Sequence, residues 1–220
     1  MIIVQLDELA KKTEEEGTTN ALIRGVLAKM KMDGHAIGGF QAYVTSEVLI
    51  GAGLSSSAAF ETLIGTILSY MYNGGEVNPI EIAKIGQYAE NVYFKKPCGL
   101  MDQTASAVGN LVTIDFFDKN HPVIEPVDFD FASCGHALVI VDSGADHADL
   151  TDEYAAITNE LKSVCAYFGK DVLTQISEHD FYQHLSDLRK VCGDRAVLRA
   201  MHFYQENARV AKQVEALRNN

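Results

Sequence analysis

The 220 residues are 47% hydrophobic and 22% charged, with a formal net charge of -12 at pH 7. That apolar content supports a sizeable core, in one large domain or one and a half. The acid excess excludes a general attraction to nucleic acid or to an anionic membrane, so a bound nucleotide has to be held by local amides, a helix terminus or a metal. In chain order, Met1–Glu16 lacks a basic start and a long apolar stretch and reads as no signal peptide. Thr18–Met30, with Leu22, Val26 and Met30 at helical spacing, predicts a helix. Phe40, Ala42 and Val44 alternate with Gln41, Tyr43 and Thr45, which predicts a half-buried strand.

A glycine-rich loop, Gly51-Ala52-Gly53-Leu54-Ser55-Ser56-Ser57-Ala58-Ala59, runs into an apolar helix whose predicted inner face is Phe60, Leu63, Ile64, Ile67, Leu68 and Met71. Asn73-Gly74-Gly75 breaks it. Asn78 caps the next helix, with Pro79 at its first position and Glu81 at its third, and this helix is expected to reach about Val92 with Glu90 in its last turn. Lys95–Gly99 reads as a turn, and Leu100–Val108 as a short helix with Asp102 in its first turn. Strand patterns return at Leu111–Phe116 and Ala137–Val141. Asp149 or Thr151 caps a helix through Phe168, and the rest is helical, ending on a stripe of Val197, Met201, Tyr204, Ala208 and Ala211. The expected class is mixed α and β without a strict βαβα rhythm. The four cysteines show no metal spacing and read as reduced thiols of a cytoplasmic protein. No run approaches the roughly 18 apolar residues of a membrane span.

The glycine-serine loop fits neither common phosphate template. Leu54-Ser55 stands where a Walker loop needs Lys-Ser/Thr, and Ser56 stands where a dinucleotide loop needs its third glycine. The physics still favours an anion. Gly51 and Gly53 allow close backbone approach, and Ser55, Ser56 and Ser57 open a helix whose first N–H groups lack partners. A serine-capped helix after a glycine turn is the plainer alternative. For Asp102 the plainer alternative is a helix-start carboxylate, for Glu90 a solvated carboxylate, and for Tyr154 a core aromatic with a wet hydroxyl.

Four segments carry a resemblance to one family. Gly53–Ala59, GLSSSAA, resembles the second motif of the GHMP kinases (galacto-, homoserine, mevalonate and phosphomevalonate kinases). Pro97-Cys98-Gly99-Leu100-Met101-Asp102-Gln103 resembles the galactokinase PCGxMDQ segment. Asp142-Ser143-Gly144 through His147 with Glu153-Tyr154, and Arg199, His202, Glu206, Asn207 and Arg209, resemble two further galactokinase segments. The resemblance covers essentially the whole chain.

It implies an α+β GHMP kinase fold, with residues 1–120 forming part of an S5-like, ATP-binding N-terminal domain and 121–220 part of a ferredoxin-like C-terminal domain. It implies ATP-dependent phosphorylation of galactose to galactose 1-phosphate. Gly51, Gly53, Leu54, Ser55, Ser56, Ser57 and Ala58 would bind the ATP phosphates. Ser57 and Glu90 would hold Mg2+, Asp102 would be the catalytic residue, and Gly99, Asp102 and Tyr154 would contact the sugar. His147 matches weakly, and Arg199, His202 and Arg209 read as structural. The expected partners are galactose and ATP, with neither nucleic acid nor membrane.

The family's arginine-asparagine-led segment with Glu-His-Thr-Asp, and its later glycine-rich motif, find no counterpart in these residues, and Leu49-Ile50 stands where many members carry proline. The chain therefore reads as the central part of a longer enzyme, with little or no activity alone and apolar surface that promotes self-association. Another sugar kinase of the superfamily (an N-acetylgalactosamine kinase), a non-catalytic galactose and ATP sensor, and a decayed structural core are the alternative readings.

Overall fold

The computed structural model of the protein describes residues 1–47, 53–118, 121–137, 139–141 and 151–219. The chain divides into two compact units, Met1–Val112 and Thr113–Asn220.

The first unit is helical. α1 (Thr19–Met32), α2 (Ser56–Tyr72) and α3 (Pro79–Tyr88) enclose a core of Val26, Leu27, Met30, Ile64, Leu68, Ile82 and Ile85. The α3 start is the one expected: Asn78 Oδ1 accepts from Ile80 N at 2.8 Å, and Pro79 follows at the first position, where no N–H is needed. α3 does not continue to Val92 as an α-helix. It changes into a π-helical segment, Ala89–Phe94, that ends on Lys95 in the left-handed region. α4 (Met101–Val108) completes the unit.

The α2 face differs from the sequence expectation. Leu63 and Met71 are exposed, whereas Glu61, Thr62, Gly65 and Ser69 are buried with Ile64 and Leu68. Small and polar residues therefore form much of the surface that α2 presents to α3 and α4, because these helices approach closely and meet through side-chain hydrogen bonds. The strand expected over Phe40–Thr45 is absent. Phe40 packs half-buried on the core, and Gln41–Glu47 are exposed. Alternation names a face but not a partner, and no described segment forms a ladder with these residues.

α1 crosses the π-helical segment at very short range. A Cβ placed on Gly25 would lie 2.8 Å from both Cα and Cβ of Ala89. Gly25→Ala is therefore expected to destabilise the first unit by about 1–3 kcal/mol, despite the better helix propensity of alanine. A lowered urea midpoint with an unchanged m-value reports it.

In the second unit, β1 (Leu111–Asp115, whose first two residues belong to the first unit) and β2 (Val123–Val127) form a two-stranded sheet. α5 (Thr151–Tyr167), α6 (Glu178–Gln183), α7 (Leu185–Cys192) and α8 (Asp194–Arg218) bury Val164, Cys165, Leu173, Ile176, Phe181, Leu188 and Val197. Of the predicted α8 stripe, Val197, Met201 and Tyr204 join this core, while Ala208 and Ala211 are exposed. Arg195 and Arg199 of α8 pair with Glu153 and Glu160 of α5, which makes Arg199 a structural clamp. The strand expected over Ala137–Val141 is not seen among its described residues, and Val139, Ile140 and Val141 are exposed. The mixed α+β class holds, helix-rich and with little strand. Among the described residues, no helix is long and apolar enough to cross a membrane.

Candidate functional site

Gly51 and Ala52 lie outside the described residues. The described part of the loop enters α2 through two left-handed residues, Gly53 (φ +71°) and Ser55 (φ +55°). Glycine adopts that conformation freely; serine does so at a cost, a feature of tight loops that form binding sites. Ser55 is the residue before the helix, and its side chain forms no cap. The N–H groups of Ser56, Ser57 and Ala58 form the first turn, where an α-helix supplies no internal acceptor and the helix dipole is positive. Leu54 is exposed beside them, and Ala58 is buried beneath.

Ser57 is joined directly to Glu90. Its Oγ donates to Glu90 Oε1 at 2.9 Å. Glu90 is 2% exposed, because the wider π turn sets it into the space between α2 and α4. Its second oxygen, Oε2, accepts from Gln103 Nε2 at 2.8 Å. The same nitrogen donates to Glu61 Oε2 at 3.2 Å. Burial, and then the nearby charge of Glu90, push the Glu61 carboxyl up to about 8, so Glu61 is mainly protonated at neutral pH. Among the described residues, the cation paired with Glu90 is Lys96, whose exposed ammonium lies 3.7 Å from Glu90 Oε1.

The Lys95–Gly99 turn is fastened back onto the π segment. Asn91 Oδ1 accepts from Cys98 N at 2.8 Å, and Asn91 Nδ2 donates to Cys98 O at 3.2 Å. Burial and the neighbouring carboxylates push the Cys98 thiol up to about 12, so it stays a neutral packing group. This fastening fixes where α4 begins. Gln103 points inward from its first turn, and its neighbour Asp102, about 100° around the helix, points outward into solvent. Among the described residues, no cation forms an ion pair with Asp102. Gly99 is exposed and has open space where a side chain would stand.

Loop serines, Glu90, Gly99 and Asp102 thus all lie in the first unit, with Ser57 and Glu90 in direct contact. Tyr154 lies in the second unit, on the first turn of α5, and is 56% exposed, so it is no core aromatic. His147 lies outside the described residues. Sequence reasoning missed Glu61 and Gln103. The available signal was Glu61 four residues after Ser57, on the same helical face as buried apolar positions.

The donor set suits magnesium. Serine and carboxylate oxygens are hard ligands, and neighbouring ligands of an octahedral magnesium ion sit roughly 2.9–3.0 Å apart, which is the Ser57–Glu90 separation. Two protein oxygens alone make a weak site that substrate phosphates and water would complete. Among the described residues, no group of three or more His, Cys, Asp or Glu could hold a metal by itself.

Residues 21–110 match the model of the GHMP kinases N terminal domain. The chain is 34% identical to a galactokinase of Glaesserella parasuis over 184 residues, covering 84% of this chain and 47% of that protein. It is 32% identical to a galactokinase of Streptomyces coelicolor over 216 residues, covering 97% of this chain and 54% of the other. A crystal structure of Lactococcus lactis galactokinase complexed with galactose superposes with a TM-score of 0.70 at 24% identity, over 98% of this chain and 55% of that one. Residues 21–110 thus resemble the GHMP kinases N terminal domain, and the fold resembles that of a galactokinase. In sequence the chain is similar to galactokinases, and it spans about half the length of the curated relatives it matches.

Proposed function

We propose that the chain is the central part of a sugar kinase that transfers the γ-phosphoryl group of ATP to the anomeric hydroxyl of galactose, in the cytoplasm. The observation that carries this reading is the joining of the Ser56–Ala58 helix start to Glu90 and, through Gln103, to the helix bearing Asp102. Residues 1–120 belong to the ATP-binding domain and 121–220 to the C-terminal domain. The loop from Gly51 to Ala58 holds the phosphates through first-turn N–H groups and serine hydroxyls, which overcome the acidic net charge locally. Ser57 and Glu90 would hold Mg2+, which supplies charge neutralisation on the phosphates.

Asp102 accepts the proton of the sugar hydroxyl as its oxygen forms a bond to phosphorus and the bond from phosphorus to the ADP oxygen breaks. An exposed carboxylate in the first turn of a short helix is free to meet a substrate, and Gly99 leaves room beside it. Tyr154 contributes a sugar contact. Phosphoryl transfer depends mainly on positioning and charge stabilisation, and Asp102 has no cationic partner among the described residues. The isolated chain is therefore expected to bind nucleotide but to phosphorylate galactose weakly or not at all.

Calorimetric titration with ATP tests this, with and without magnesium. The expected result is magnesium-dependent binding that weakens at least tenfold in Ser57→Ala and Glu90→Gln. No binding by the unmodified chain would leave only the structural core. Vigorous galactose phosphorylation by these 220 residues would overturn the reading as an incomplete site.

A further inference from the structure

Gln103 is fully buried, at 0% exposure, and its side-chain amide is surrounded by hydrogen-bond acceptors. Its Nε2 faces Glu90 Oε2 at 2.8 Å, Glu61 Oε2 at 3.2 Å and Cys98 Sγ at 3.5 Å. These acceptors come from the π segment, from α2 and from the Lys95–Gly99 turn, while Gln103 itself belongs to α4. A glycine on the fourth neighbour, α3, closes the pocket. A Cβ on Gly86 would lie 3.2 Å from Glu61 Oε2 and 3.3 Å from Gln103 Cγ, so the amide has little room to swing away. Glu90 is consequently gripped at both ends, by Ser57 on Oε1 and by Gln103 on Oε2.

We propose that Gln103 is a positioning residue for the nucleotide site: one buried amide holds Glu90 with its Oε1 turned to Ser57, and ties the helix bearing Asp102 to the helix that follows the phosphate loop. An amide is the group this place requires. Leucine would leave Glu90 Oε2 and Glu61 Oε2 buried without the amide donor, and glutamate would set a third carboxyl among them. The consequence for magnesium and nucleotide rests on the function proposed above; the mechanical coupling does not.

Three variants of the full 220-residue chain separate positioning from plain packing: Gln103→Leu, Gln103→Glu, and the swap Glu61→Gln with Gln103→Glu. The swap restores a donor–acceptor pair between positions 61 and 103 but still leaves Glu90 facing a carboxyl. Both single variants are expected to weaken magnesium-dependent ATP binding roughly 10–100-fold, with a much smaller change in magnesium-free binding. The swap is expected to regain thermal stability without regaining the magnesium-dependent affinity. Unchanged affinity in the single variants, or recovery of both properties in the swap, would show that Gln103 only packs.

Hydrogen exchange on the metal-free chain reads the coupling independently. Lys96 N–H donates to Glu90 O and Thr104 N–H to Leu100 O. Exchange at both amides is expected to rise together, by about tenfold, in Gln103→Leu, or in Gln103→Glu if the leucine variant does not fold. A rise at Thr104 alone overturns the proposal. If the unmodified chain binds no ATP, the nucleotide reading fails, and this exchange result still decides the role of Gln103.

Discussion

Replacing Arg24 with methionine is expected to cost the first unit about 3–5 kcal/mol, the cost of removing one member of a buried ion pair. Arg24 is 3% exposed, an unusual place for a guanidinium. Its Nε and one terminal nitrogen grip the two oxygens of Glu15, each at 2.7 Å, and the other terminal nitrogen donates to the Glu8 carbonyl. This planar, two-point geometry holds the Glu8–Glu15 segment against α1, assisted by the Tyr93 hydroxyl on Leu9 O at 2.9 Å. Methionine fills part of the volume but abandons Glu15 and a backbone carbonyl.

The double variant Arg24→Met with Glu15→Leu removes both charges and is expected to recover much of the loss, since a well-packed apolar pair often replaces a buried ion pair without penalty. Urea unfolding of both variants measures this, and a single-variant loss below about 1 kcal/mol would contradict it. The pH dependence has a definite sign. The Arg24 hydrogen bond holds the Glu15 carboxyl below its usual range. The pair's contribution is therefore present above the ordinary glutamate value of 4.5 and is lost as pH falls through the lowered one. Gly25, the next residue on α1, packs closely on Ala89, the neighbour of Glu90 in the chain.

Helices were the legible part of this fold, because their signals are local. Asn78-Pro79 marks a start that the structure shows bond by bond, and the apolar spacing of Leu22, Val26 and Met30 places α1. The 40–45 and 137–141 stretches show the limit of the same reasoning. The first alternates and the second is a continuous apolar run, but a strand exists only with a partner, and partnership is not written in the segment itself. The site divides in the same way. Ser57 and Asp102 come from motifs and Glu90 from the family resemblance, and the structure joins Ser57 to Glu90 directly. Glu61 and Gln103 escape, because a carboxylate or amide side chain on a helix is ordinarily exposed, and only the packing of α2, α3 and α4 reveals that both are buried.

That burial makes the second large effect a pH effect. Glu61 is 1% exposed, its Oε1 has no hydrogen-bond partner, and its carboxyl is raised from an ordinary 4.5 to about 8. Between these values the folded chain keeps a proton that the unfolded chain has released. Stability therefore falls as pH rises through this window, and is fully restored below it. From pH 5 to pH 8 the loss from this one group is roughly 3–4 kcal/mol. Glu61→Gln keeps the shape, accepts from Gln103 through its own oxygen, and carries no titrating proton. The variant is expected to be the more stable protein at pH 8 by a similar amount, with the two stabilities converging toward pH 5. Chemical denaturation of both proteins across that range measures the difference, and parallel curves would contradict it. The arrangement also settles the charge of the buried site near neutrality. With Glu61 holding its proton, a divalent cation placed beside Ser57 and Glu90 would not also face a charge on Glu61.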